Sequence, residues 1–141
     1  MNIEQTRREI EQKLGQVPGW MAQMPDGALE GFWANARDFW LADTQIPGKY
    51  KELIGIALAG ATRCRYCALF HTEIARVYGA TDAEIAEASA MAATTMAGST
   101  FINAQQIDYD EFRRETMEIV QYVKNQSMAQ TQTDSTRPAA H

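Results

Sequence analysis

Cysteine and histidine are nearly absent from this chain: its 141 residues hold two of each. Two thiols cannot make a multiply stapled scaffold, and structural zinc sites usually draw on two separated ligand pairs, of which the second is missing here. Positive charge is also short. The net charge of −5 speaks against nucleic acid or an anionic membrane surface as partner. No apolar run approaches the ~18–20 residues of a membrane span. The opening stretch Met1-Asn2-Ile3-Glu4-Gln5-Thr6-Arg7-Arg8-Glu9 lacks the apolar core of a signal peptide, so a cytoplasmic location is expected. No segment alternates with period two, so no sheet is predicted.

What is present is apolar, aromatic and helical in pattern. Hydrophobic residues make up 45 % of the chain, with seven Met and three Trp, enough for a core in one domain. Residues Ile3 to Leu14 form an amphipathic opening helix, broken by Gly15, Pro18 and Gly19. Asp26 is a fitting N-cap for a second helix. In it Leu29, Phe32, Trp33, Ala36, Phe39 and Trp40 make an apolar stripe ending near Asp43. That much aromatic surface in a small helical chain suggests a subunit interface. Pro47 suits the first position of a buried helix reaching Ala61. Thr62-Arg63 breaks it, and Cys64 to Tyr78 follows, stopped by Gly79. Thr81-Asp82-Ala83-Glu84 is a capping box opening an Ala-rich helix to about Met96. Gly98-Ser99 predicts a bend before a short helix over Thr100 to Gln106. Asp108 caps a last helix whose Phe112, Met117, Ile119, Val120 and Val123 supply apolar contacts. The reading is all-α: a single-domain bundle of about six to seven helices over 1–124, then a polar, disordered tail over 125–141.

Both cysteines fall in one motif, Cys64-Arg65-Tyr66-Cys67, and His71 stands four residues after the second. Two thiols at this spacing can close a disulfide reversibly, and an imidazole beside them can take and return the proton. In a reducing compartment such a pair is redox-active or metal-binding before it is a structural bridge. Cys64, Cys67 and His71 share one face of one helix. The helix dipole and the neighbouring Arg63 and Arg65 favour thiolate at Cys64. His71, at i+4, is set to activate Cys67, which leaves Cys64 to meet an external reductant. Glu52 lies in the preceding helix. Antiparallel packing would bring it back to His71, where a carboxylate fixes the imidazole tautomer. Tyr66 is a packed aromatic whose hydroxyl could reach the cleft as an auxiliary group. The same Cys64, Cys67, His71 and Glu52 could ligate a metal, though three ligands on one helical segment make awkward tetrahedral geometry.

Glu52, an apolar helix, and then Cys64-Arg65-Tyr66-Cys67-Ala68-Leu69-Phe70-His71 resemble the alkyl hydroperoxidase D core of the carboxymuconolactone decarboxylase superfamily. Gly79 and Thr81-Asp82-Ala83-Glu84-Ile85 resemble its continuation, so the likeness covers about 47–96. The resemblance implies an all-helical fold assembled as a homo-oligomer, commonly a trimer or hexamer. It implies a thiol peroxidase or disulfide reductase whose cysteines cycle between dithiol and disulfide, with no bound cofactor. By matched position Cys64 and Cys67 are the redox pair, His71 the relay imidazole and Glu52 the relay carboxylate. The partners implied are a hydroperoxide or small disulfide and a dithiol reductant, either a protein or a lipoyl group. One position departs from the family pattern: Tyr66 stands where the hydroperoxidase has a second histidine. The superfamily's decarboxylases lack the cysteine pair, so lactone decarboxylation is disfavoured. The alternative is a non-enzymatic redox-sensing or metal-binding oligomer using the same cluster.

Overall fold

The computed structural model describes the backbone of residues 2–135 and the side chains of residues 2–128. Among the described residues there are seven α-helices and no strand, as the patterning predicts. The chain groups into two compact units, one up to Met96 and one from Ala97 on.

In the first unit α1 (Ile3–Leu14) starts at Asn2, whose side chain accepts from Gln5 N at 2.9 Å, and stops at Gly15 with φ 81°. After the short α2 (Gly19–Ala22) comes α3 (Asp26–Asn35). Pro25, not Asp26, occupies its N-cap position, and Asp26 instead places its charge in the first turn. Ile10, Met21, Leu29, Trp33 and Ala36 are buried together, with Phe32 and Trp40 packed against them. The aromatic stripe is therefore mostly core. Trp33 is 1 % exposed, and of its four rings only Phe39, at 58 %, faces outward.

The helix predicted to reach Asp43 changes its winding instead. Residues Ala36–Trp40 form a π turn, closed by Leu41 N donating to Ala36 O at 2.8 Å. Helix α4 (Gly48–Thr62) follows, with Pro47 one residue ahead of it rather than inside it. Pro47 has an extended backbone and no side-chain cap. Asp43 supplies the missing acceptor, taking Gly48 N at 2.7 Å. Helix α5 (Arg65–Val77) packs on α4, and Gly79 ends it in the left-handed region. Ile56, Ala75 and Ala80 form a second buried cluster, flanked by Leu53 and Ile85.

The capping box is realised: Glu84 N donates to Thr81 Oγ1 at 3.1 Å and Thr81 N to Glu84 Oε2 at 2.8 Å. It opens α6 (Asp82–Ala104), which has no buried residue. The bend expected at Gly98-Ser99 is absent. A glycine costs an α-helix about 1 kcal/mol, too little to break one flanked by Ala, Met and Thr. In the second unit Asp108 caps α7 (Tyr109–Ser135) through Glu111 N at 2.9 Å. Phe112, Met117, Ile119 and Val123 are exposed rather than in contact as expected. The helix runs on across 125–135, the first part of the expected disordered tail, since no Gly or Pro interrupts that stretch. The rest of that tail lies outside the described residues.

Candidate active site

The predicted redox pair sits at the corner between α4 and α5. Arg63 turns the chain with a left-handed φ of 56°. Cys64, now extended, becomes the N-cap residue of α5, its Sγ accepting from Cys67 N at 3.2 Å. Sulfur here stands where a serine or aspartate oxygen usually caps a helix. The two cysteines are joined in a disulfide with Cα atoms 5.3 Å apart, inside the range such bonds accept. Both residues are half-buried.

His71 lies one helical turn beyond Cys67, and α4 brings Glu52 to it. Glu52 Oε2 and His71 Nδ1 are 2.6 Å apart, and the glutamate is fully buried. The expected antiparallel return of Glu52 is therefore present. Two glycines make the close approach possible. A Cβ on Gly55 would stand 2.6 Å from His71 Cγ and Nδ1, and one on Gly48 would stand 2.8 Å from Tyr78 Cε2. Seven residues forward on α4 match seven residues back on α5, so each glycine offers bare backbone to one ring.

The second oxygen of the buried carboxylate is also occupied. Trp40 Nε1 donates to Glu52 Oε1 at 2.9 Å. A buried carboxylate is costly unless its oxygens are bonded, and both are. Trp40 lies edge-on to His71 with centroids 5.6 Å apart and tilted on Phe70 at 5.1 Å. Lys51, beside Glu52 in sequence, spends its ammonium on the segment carrying Trp40. Its Nζ donates to Phe39 O, to Ala42 O at 2.8 Å and to Thr44 Oγ1 at 2.7 Å. Tyr78 donates to Leu41 O at 3.2 Å. Burial pushes its hydroxyl above the ordinary range, and the charges of Glu52 and Asp43 push it further.

Tyr66 is 72 % exposed and its hydroxyl accepts from Arg65 Nη2 at 3.1 Å, with the guanidinium over its ring. The structure thus places Cys64 and Cys67 together and Glu52 on His71, and leaves Tyr66 on the surface. The four-ligand metal arrangement is not formed: among the described residues no cluster of three or more His, Cys, Asp or Glu side chains is placed to hold an ion. Sequence reasoning missed Trp40, Lys51, Gly55 and Tyr78. The seven-residue step from Gly48 to Gly55, matched by that from His71 to Tyr78, was an available signal. Nothing in the sequence announced the π turn. No helix among the described residues is long and apolar enough to cross a membrane.

The model of the carboxymuconolactone decarboxylase family matches residues 27–107. A curated relative, "Uncharacterized protein 4 in cox locus" of Paracoccus denitrificans, is 38 % identical over 63 residues. That match spans 45 % of this chain and 57 % of the relative, a little over half its length. Among solved structures, the alkylhydroperoxidase AhpD core from Rhodospirillum rubrum superposes with a TM-score of 0.67 at 26 % identity, over 77 % of this chain and 83 % of that one. A protein from Methanobacterium thermoautotrophicum superposes with a TM-score of 0.54 at 34 % identity, over 62 % of this chain and 97 % of that one. With more than half of its length matched by the family model and the AhpD core sharing its fold, the chain belongs to the carboxymuconolactone decarboxylase family as an AhpD-like member.

Proposed function

We propose that this protein is a dithiol peroxidase, or a reductase of small disulfides, working through Cys64 and Cys67 with His71 and Glu52 as the proton relay. One observation carries the reading. A disulfide-forming pair opens the same helix that holds a histidine bonded to a fully buried glutamate. A carboxylate can only accept, so the ring proton lies on Nδ1 and leaves Nε2 as the base. Likeness to the AhpD core structure supports the same chemistry.

In the reduced protein His71 takes the proton of Cys67. The thiolate attacks the terminal oxygen of a hydroperoxide; the S–O bond forms, the O–O bond breaks, and the alkoxide leaves as alcohol with a proton. Cys67 is now a sulfenic acid. Cys64 attacks its sulfur, the disulfide forms and water departs. A dithiol reductant then attacks Cys64, and Cys67 leaves as thiolate and is reprotonated by His71. Collapse of the mixed disulfide oxidises the reductant and restores both thiols. In small-disulfide reduction the Cys64/Cys67 dithiol would attack the substrate disulfide, release its two thiols in turn and close to the Cys64–Cys67 disulfide, which the dithiol reductant then reopens as above.

The test is steady hydroperoxide consumption with a dithiol present, followed beside stopped-flow oxidation of the reduced protein. Steady turnover that vanishes in Cys64→Ser and Cys67→Ser is expected. His71→Ala should slow thiol oxidation by ~10²–10⁴-fold, as positioned acid–base groups do, and Glu52→Gln by less. The double variant should lose no more than His71→Ala alone, since one relay is removed rather than two. A single stoichiometric oxidation without turnover would replace this reading with a redox sensor.

A further inference from the structure

The relay as derived uses one oxygen of Glu52. The other is held by a residue that the chemistry has not yet needed. We propose that Trp40 is a positioning residue for the relay: its indole N–H fixes Glu52 Oε1, so that Oε2 is presented to His71 Nδ1. This rests on the dithiol reading above and extends it to a third helical segment.

Glutamate has freely turning side-chain bonds, and a carboxylate with one bonded oxygen can rotate about its axis. Bonded on opposite oxygens, at 2.9 Å to Trp40 Nε1 and 2.6 Å to His71 Nδ1, it cannot rotate without breaking one bond in a site where no exposed surface offers a replacement. Trp40 is itself braced. Phe32 stands edge-on behind it with centroids 6.4 Å apart, and Phe70 and His71 meet its other sides. Its backbone is tied by the adjacent residue of α4: Lys51 donates to the carbonyls of Phe39 and Ala42. Consecutive residues of one helix thus grip the same segment, Lys51 by its main chain and Glu52 by its indole. An indole bonded to a carboxylate is not by itself the distinction, since Trp33 in the core has one too; what sets Trp40 apart is that its carboxylate is fully buried and also bonded to His71. The indole of Trp33 bonds Glu9, a partly exposed carboxylate remote from the cysteines in sequence.

The experiment uses the full chain in its reduced form. Two changes at Trp40 remove the N–H: Trp40→Phe, and replacement of the indole by benzothiophene, which keeps the ring shape. Each is measured alone and with Glu52→Gln, with two thiol reagents, iodoacetamide and a hydroperoxide. Trp40→Phe should slow both reactions about 10–100-fold, the usual cost of losing a partner that orients a working ligand. In the Glu52→Gln background it should cost nothing further. The indole ¹⁵N–H resonance of Trp40, identified by its loss in Trp40→Phe, should move on Glu52→Gln. Wild-type alkylation rates in both Trp40 variants would overturn the proposal, as would losses that multiply or an indole resonance indifferent to Glu52. If Trp40→Phe fails to fold, the benzothiophene replacement decides. The peroxidase reading fails separately: thiols that alkylate rapidly but support no hydroperoxide turnover refute that reading, while the alkylation rates still judge Trp40.

Discussion

Replacing Gly55 with alanine tests the packing on which the relay depends. The new Cβ would lie 2.6 Å from Cγ and Nδ1 of His71 and 2.7 Å from Cε1. Near-equal distances to three consecutive ring atoms put it over the face of the imidazole rather than at its edge. Carbon atoms rest about 3.5–4.0 Å apart, so the ring must retreat by about 1 Å along its normal. The bond from Nδ1 to Glu52 Oε2, now 2.6 Å, lies in the ring plane. A perpendicular shift of about 1 Å stretches it little but carries the carboxylate roughly 20° out of that plane, where an N–H···O bond weakens. Overpacking of this kind costs about 1–3 kcal/mol, and alanine in a helix interior returns about 0.5–1 kcal/mol. The net stability loss should therefore be small, on the order of 0–2 kcal/mol. The rate should suffer far more, since a misplacement of about 1 Å in a reacting group can cost ~10²-fold. Denaturant midpoints and stopped-flow thiol oxidation on the same samples give both numbers. A Gly55→Ala protein that gains the full helix-propensity benefit and oxidises at the wild-type rate would refute the reasoning, because the imidazole would then not rest on Gly55.

Two further outcomes are expected. Glu9 is held below its ordinary 4.5, first by its hydrogen bond from Arg37 and further by Trp33. A depressed carboxylate contributes stability that is fully present above its unfolded value and lost as pH falls through its folded one. The denaturant midpoint of wild type should therefore drop more steeply below pH 4.5 than that of Glu9→Gln, and parallel curves would remove Glu9 from the account. The protein should also be a homo-oligomer, a trimer or hexamer on the family resemblance, because Phe101, Tyr109, Met117 and Ile119 are more than half exposed in the single chain. Light scattering at a mass near 15.8 kDa, that of one chain, would contradict it.

How far the site could be read in the sequence depends on how local each feature is. The Cys64–Cys67 pair and its cap at a helix start follow from spacing, as does the helical turn from Cys67 to His71. Meeting Glu52 required only that the two helices pack antiparallel, which a short corner enforces. The capping box at Thr81 and the stop at Gly79 were equally legible, because each is settled within four residues. Trp40 was not. In an unbroken α-helix it belongs to the stripe of Phe32 and Trp33. Its true direction depends on a change of winding after Asn35 that no residue there demands on its own. The partners that hold it there, Lys51 and Glu52, are more than ten residues away. Gly98-Ser99 failed for the opposite reason: a weak local breaker was overruled by its helix-forming neighbours.

The π turn makes the length of the chain between α3 and α4 matter residue by residue. A π turn holds one residue more than the α-helical turn it replaces, and each helical residue advances the side chain by about 100°. Deleting one residue within Ala36–Trp40 would let the segment relax to ordinary α winding, a gain in backbone geometry. The restored α turn spans about the same arc, so the indole would keep its direction toward Glu52, whereas inserting a residue would swing it off by about 100°. Within Ala36–Trp40 a one-residue deletion that keeps Ala36 and Trp40 should be tolerated where an insertion is not.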